Sequence, residues 1–312
     1  MAEAVELWNT PQAGVVNMVV GFRQWADAGS LSSGLPQYMV EKTGAQPIGK
    51  IRPDGFYLFQ IPGTHDLVRP RVRFRAGYPV SLDTPHTDIY YSGSESSGLA
   101  VLIGDEPHLD IERYVAAVLS AAKQLNVKRI IGLGGVYGEL PYNRERPVSA
   151  NYSLRRLKRE VEQLAVDLSD YHGGASIGSY LCRRAGERRM EYVGLYGFVP
   201  AYDFSTLGQA GSTIRLENDF TAWLGVMRRV IYMLKLDFDL ADLISRSEYL
   251  VRVVSDRIDE IEQVAPDLGV REYVNRLAEN FTEKIFAPED GFWEEKLKGL
   301  FDKFDAGDSP EA

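Results

Sequence analysis

An α/β fold, a mixed and mostly parallel sheet flanked by helices with a small C-terminal helical appendage, is predicted by three features of the sequence. Short apolar runs carrying or ending in glycine recur at Val15–Phe22, Leu99–Gly104, Lys128–Gly135 and Tyr192–Val199, the mark of strands buried on both faces. Between the second and third lies a stretch of helical period, so strand, helix and strand form one parallel crossover unit. After about Phe220 the alternation stops and only helical patterns remain.

In order along the chain, Val15–Phe22 is the first buried strand, and a helix follows over about Ser30–Lys42 with Pro36 near its first turns, where proline is least disruptive. Ile48–Arg52 and Phe56–Ile61 read as strands. Leu67–Arg75 alternates, placing Arg69, Arg71, Arg73 and Arg75 on one face, and Pro70 sets it at a sheet edge or bulge. That arginine face can bind an anion, pair with an acidic subunit, or stand in solvent. Asp110 is placed to cap a helix whose apolar positions Ile111, Tyr114, Val115, Val118, Leu119 and Leu125 keep the 3.6 period. Pro147–Tyr152 reads as a strand, Ser153 as the cap of a helix through Leu168, and Gly173–Gly174 as the turn opening another helix to about Arg184.

Residues 1–220 are thus expected to form the α/β domain and 221–304 the helical appendage. The appendage carries apolar seams from Leu240 to Ile261, Val270 to Phe281 and Phe292 to Phe304, and 305–312 form a polar, disordered tail. The segment 200–214, rich in Gly, Ser and Thr, is either a lid over a pocket or a surface connection.

The 312 residues carry a net charge of −9, which argues against nucleic acid as a partner, since phosphate binding needs a basic face. One cysteine, Cys182, excludes a disulfide framework within the chain and a cysteine-based zinc site. His108-x-Asp110 supplies too few ligands for a cation, so neither a metal nor a cofactor is expected. No run approaches the roughly 18 apolar residues of a membrane span, and Met1–Gly14 lacks a signal pattern. A cytoplasmic protein is expected.

Gly174-x-Ser176-x-Gly178 has the spacing of a hydrolase nucleophile elbow. All four histidines (His65, His86, His108 and His172) precede Ser176, so no downstream imidazole serves as base, and no strand leads into the turn. Ser176 is therefore expected in the first turn of a helix, at the rim of a pocket, with Gly173 and Gly174 supplying backbone angles that side chains forbid. The amides that open such a helix favour an anion or a carboxylate.

In an open parallel sheet, ligands collect beyond the carboxyl ends of the strands. Four stretches converge on that edge: Gly21–Gly29 with Arg23 and Asp27, Gly104–Pro107 with Asp105 and Glu106, Gly134–Glu139 with Gly135 and Tyr137, and Gly173–Gly178. Their glycines either make tight turns or bring backbone N–H groups close to a ligand. Arg146 is a further pocket candidate, and none of these positions is assigned a catalytic role.

These stretches, in this order, together with the Arg-Pro-Val strand at 146–148 and Phe198-Val-Pro-Ala-Tyr202, resemble the proteasome assembly chaperone family of the second-chaperone type, in its longer bacterial form. The resemblance covers about residues 14–235. It implies a fold similar to purine nucleoside phosphorylases, and a non-catalytic binding or assembly role with a protein client. Some relatives dock through a C-terminal hydrophobic-Tyr-x tail, whereas this chain ends Gly307-Asp-Ser-Pro-Glu-Ala312, so that mode of docking is not expected. A homo-oligomer, a trimer foremost, is expected. The alternative is a phosphorylase- or hydrolase-like enzyme acting on a nucleoside-like small molecule. Arg23 and Arg146 would then grip an anion and Glu139 the sugar.

Overall fold

The computed structural model describes residues 4–11, 13–61, 68–203 and 213–287. In chain order these form β1 (Val5–Leu7), β2 (Val15–Arg23), α1 (Gly34–Thr43), β3 (Gln46–Ile51), β4 (Arg71–Arg75), β5 (Tyr78–Asp83), β6 (Thr87–Gly93) and β7 (Ser97–Asp105). There follow α2 (Ile111–Gln124), β8 (Val127–Gly138), β9 (Val148–Tyr152), α3 (Lys158–Glu162), β10 (Asp167–Leu168), α4 (Ile177–Glu187) and β11 (Glu191–Asp203). The chain continues with β12 (Thr213–Arg215), α5 (Phe220–Leu234), α6 (Ala241–Val264) and α7 (Val270–Glu279).

One large sheet runs in the order β1-β3-β6-β7-β2-β8-β11-β9-β10, with β12 paired to β11. Its centre, β7-β2-β8-β11, is parallel throughout. The flanking strands β6, β3 and β9 run antiparallel to their inner neighbours. The sheet is therefore mixed, with a parallel heart, and helices cover both faces as such a heart requires.

The pleat sends alternate residues of β2 to opposite sides. Val19 joins a core with Leu35, Met39, Trp223 and Ile231 of α1 and α5, while Met18 and Val20 meet Val118, Leu119 and Leu181 of α2 and α4. A third cluster joins Val254 and Ile258 of α6, and Val270 and Val274 of α7, to Tyr142 and Tyr202.

Several sequence expectations are corrected. Phe56–Ile61 is irregular, although Phe56 is fully buried. The 153–168 helix is only the short α3, because the backbone turns left-handed at Ala165 (φ +50). Ser153 is not a helix cap: its hydroxyl donates to Met190 O and accepts from Tyr192 N. Asp110 sits just before α2 at φ +49 without capping it, and its carboxylate accepts from Arg113 Nε at 2.6 Å. Strands β1, β5, β6, β10 and β12 had no counterpart in the sequence reading. The seam from Phe292 to Phe304, the 305–312 tail and most of the 200–214 segment lie outside the described residues.

Candidate functional site

Three of the four glycine-bearing stretches contribute to one cavity of about 590 Å³, and the fourth, Gly104–Pro107, does not line it. The loop after β2 contributes Trp25 and Asp27, the end of β8 contributes Gly135 and Tyr137, and the approach to α4 contributes Tyr171, Gly174 and Ser176. β9 adds Ser149 and Asn151, and β11 adds Tyr196 and Phe198. The opening is ringed by aromatics: Trp25 is 69% exposed, Tyr171 68% and Tyr137 42%.

Gly135 has a steric task here. It donates its N–H to Ala26 O at 2.8 Å, and a Cβ at this position would stand 2.1 Å from Ala28 O. Only glycine lets the 26–28 loop lie flat against β8. Gly134 makes room for Tyr196, whose ring would be 2.4 Å from a Cβ there. The glycines of this edge thus admit protein atoms.

The ionisable candidates are occupied in the same way. Arg23 donates from Nε and Nη2 to the two carboxylate oxygens of Asp105, at 2.8 and 3.0 Å. This pairing raises the Arg23 pKa further. Asp105 also accepts from His86 N at 2.9 Å. Asp27 accepts from the backbone N–H and hydroxyl of both Ser32 and Ser33, at 2.7 to 3.0 Å. Burial nevertheless raises its pKa, because those bonds only partly replace lost hydration. Glu106 Oε1 accepts from Ile177 N at 2.8 Å, and burial raises its pKa too. The anion expected at the opening of α4 is therefore a carboxylate of the chain itself.

Ser176 is the residue before the first helical turn of α4, with φ −72° and ψ 162°, and its Oγ accepts from Ser179 N at 3.2 Å. This is a capping hydroxyl. Neither Gly173 nor Gly174 has a left-handed backbone, which corrects the expectation of special angles there. A Cβ on Gly173 would meet Tyr171 Oη at 2.4 Å, while one on Gly174 would have only Trp25 at 3.9 Å.

Of the candidates, Asp27, Gly135, Tyr137, Gly174 and Ser176 line the cavity, while Arg23, Asp105, Glu106, Gly134 and Gly173 do not, and Arg146 and Glu139 serve other places. Arg146 is 1% exposed and donates from Nε to Asp219 Oδ2 at 2.8 Å and from Nη1 to three carbonyls. It ties the loop before β9 to the start of α5 and has no surface for an anion. Glu139 lies against Tyr273 in a separate cavity of about 430 Å³ beside α7. Among the pocket residues that sequence reading missed, Ser169, Tyr171 and Ser179 flank the Gly173–Gly178 turn, and Ser149, Asn151, Tyr196 and Phe198 sit on β9 and β11 at alternating positions. The signal of these last four is the period of two, which names a face once the sheet order is known.

Among the described residues, no group of three or more His, Cys, Asp or Glu side chains is gathered to hold a metal ion. Among them, too, no helix is long and apolar enough to cross a membrane.

Comparison with known proteins gives a consistent pattern. The structure is similar to that of a Mycobacterium tuberculosis proteasome-assembly chaperone homologue, with 22% identity and a TM-score of 0.68 over 83% of this chain and 100% of that one. It is similar to a PAC2 family protein from Streptomyces avermitilis, with 22% identity and a TM-score of 0.66 over 83% of this chain and 99% of that one. A third similarity is to PbaB, an archaeal proteasome activator from Pyrococcus furiosus, with 18% identity and a TM-score of 0.56 over 81% and 97% of the two chains. No curated protein matches by sequence. The PAC2 family model matches residues 21–257, which take in β7, β8 and β11 of the parallel heart, the pocket and most of α6, so the chain belongs to the PAC2 family.

Proposed function

We propose that this protein is a non-catalytic binding or assembly factor whose client is a protein, engaged at the aromatic-ringed pocket on the carboxyl edge of the sheet. The observation that carries this reading is the commitment of every charged candidate on that edge. Arg23 is held by Asp105, Asp27 by Ser32 and Ser33, and Glu106 by the Ile177 amide. What remains to meet a partner is Trp25, Tyr137 and Tyr171 together with serine hydroxyls and the Asn151 amide, whose buried Oδ1 has no partner. Exposed aromatics around a concavity suit recognition of a polypeptide, where rigid rings supply contact area. They offer no poised base, nucleophile or anion grip. Proteasome relatives among the similar structures make core-particle subunits the first client to test.

The same proposal includes a fold similar to purine nucleoside phosphorylases, supported by the parallel heart with antiparallel flanks. It includes an α/β unit ending near residue 220 with a helical appendage rooted on it through α5, a cytoplasmic location, and a homo-oligomer with three copies favoured.

The test is reconstitution of the core particle from its separate subunits with and without this chain, followed on native gels. Faster assembly that Trp25→Ala with Tyr171→Ala abolishes is the expected result. Phosphorolysis of any nucleoside, read by chromatography and lost with Asp27→Asn, would overturn the reading.

A further inference from the structure

We infer that the amino edge of the parallel strands, opposite the pocket, is a second interaction surface that takes an acidic polypeptide segment carrying one apolar side chain. It shares with the proposed function only the premise that a partner is a protein, and it does not use the pocket. β8 spans 12 residues between the two edges, at roughly 3.3 Å each, so the surfaces lie tens of ångströms apart.

The topology gathers this edge from parts remote in sequence. α2 ends where β8 begins, and α4 ends where β11 begins. The turn after β9 lies beside them, where Ser153 Oγ donates to Met190 O at 2.7 Å. Residues 123–129, 153–162 and 182–191 hold eleven Lys and Arg against four Asp and Glu, in a chain with 35 against 44 overall. All four acids are already paired: Glu160 with Arg129, Glu162 with Lys158, Glu187 with Arg183 and Arg184, and Glu191 with Arg129 and Arg156. Glu112 of α2 is taken by Arg184. Lys123, Lys128, Arg155, Arg159, Arg188 and Arg189 are exposed, and among the described residues none of the six is in an ion pair.

Helix ends explain part of this, since cations at the ends of α2 and α4 suit the negative pole of each helix. They do not explain Arg155, Arg156, Lys158 and Arg159, which crowd the opening of α3, where the dipole disfavours cations. An acidic partner relieves that crowding. Its seat is a groove of about 590 Å³ between the end of α2, the start of β8 and the end of α4. Lys123 and Arg188 stand exposed beside it, while Leu119, Val127 and Met190 give it an apolar lining. Guanidinium and ammonium groups around an apolar hollow suit carboxylates flanking one aliphatic side chain. Single-stranded nucleic acid fits less well, because no exposed aromatic of the described residues lies in these three segments to stack a base. A bilayer surface does not reach into a groove, and the more acidic remainder of the chain repels an extended polyanion.

The test is fluorescence anisotropy of the full chain with a short labelled peptide of Glu and Asp around one central Leu. Binding that weakens as salt is raised is expected. Lys123→Ser with Arg188→Ser is expected to weaken it about tenfold, as two exposed ion pairs at the upper end of their usual strength would. Circular dichroism should be unchanged, because both side chains are exposed. A peptide with Ser in place of Leu is expected to bind about tenfold more weakly, through loss of the apolar contact. Trp25→Ser with Tyr171→Ser is expected to bind the peptide as wild type does. No binding, binding indifferent to the two cations or to the Leu, or binding lost with the rim substitutions overturns the inference. Tighter binding of a DNA duplex or of phosphatidylserine vesicles than of the peptide also overturns it and reassigns the edge to phosphates. A chain that binds the peptide yet never assembles the core particle keeps this surface and removes the proposed client.

Discussion

Tyr196 lies across Gly134, and its hydroxyl meets Ser179 Oγ at 3.2 Å on the first turn of α4. Tyr192 lies across Gly132 one pleat earlier, where a Cβ would stand 1.8 Å from its hydroxyl. Gly178 of α4 faces both hydroxyls from above, at 3.1 and 3.2 Å from where its Cβ would be. The glycine-rich edge and the Gly174-x-Ser176-x-Gly178 turn are thus parts of one arrangement. Two tyrosines lie flat between sheet and helix, and glycine is what leaves them the space.

This arrangement ranks the glycines. Gly135→Ala drives a methyl into the backbone of Ala28, which cannot retreat as a side-chain tip can. The expected loss is about 1–3 kcal/mol, the usual range for overpacking, measured by urea unfolding. Gly174→Ala meets ordinary contact only and is expected within about 0.5 kcal/mol of wild type. Equal effects at the two positions would show that packing does not explain them.

Arg146 and Asp219 form an ion pair with side chains 1% and 0% exposed. Asp219 Oδ1 also accepts from Thr221 N and Ala222 N at the start of α5. Arg146→Met leaves that carboxylate buried without its cation, and the expected cost is about 3–5 kcal/mol. The double change with Asp219→Leu should recover part of it. An Arg146→Met protein as stable as wild type would remove this pair from any account of the fold.

The parallel heart and its helices were legible because burial on both faces writes continuous apolar runs. Strand β6 was not, since Thr87-Asp-Ile-Tyr-Tyr-Ser-Gly93 mixes polar and aromatic residues and gains its identity from pairing with β3 and β7. Helix α3 was overextended for the opposite reason. Leu157, Val161 and Leu164 are all buried, as the stripe required, yet the left-handed turn at Ala165 ends the helix. At the carboxyl edge of the sheet, the sequence named the glycine-bearing stretches but not how its charges pair. Arg23 and Asp105 are far apart in the chain, and only the parallel register of β2 with β7 sets them side by side. Arg146 finds its partner at Asp219, a pairing no local pattern announces.

Ser176 is expected to remain unlabelled by a fluorophosphonate probe, because its hydroxyl faces Ser179 and no imidazole lies within bonding reach among the described residues. Its contribution is structural. Ser176→Ala should cost about 0.5–2 kcal/mol through loss of the cap, read as a shift in thermal midpoint. Glu106→Ala should act in the same direction, since its carboxylate satisfies the neighbouring Ile177 amide. Stoichiometric labelling at Ser176 would restore the nucleophile elbow.

His108 supplies a pH dependence. Its Nδ1 accepts from Leu58 N at 3.0 Å, so the ring is neutral and carries its proton on Nε2, which is buried without a partner. Burial holds its pKa below the usual histidine value. The unfolded chain therefore takes up a proton that the folded chain resists, and stability rises with pH across that window. The contribution is complete above about pH 6.5, the unperturbed histidine value, and is lost as the pH falls toward the folded value. Protonation of Nδ1 removes the acceptor for Leu58 N–H and loosens the 56–58 segment, where Phe56 O accepts from His108 N at 2.8 Å. His108→Gln is expected to flatten the stability profile between about pH 5 and 7, measured by urea midpoints at several pH values. A profile as steep as wild type would place the titration elsewhere.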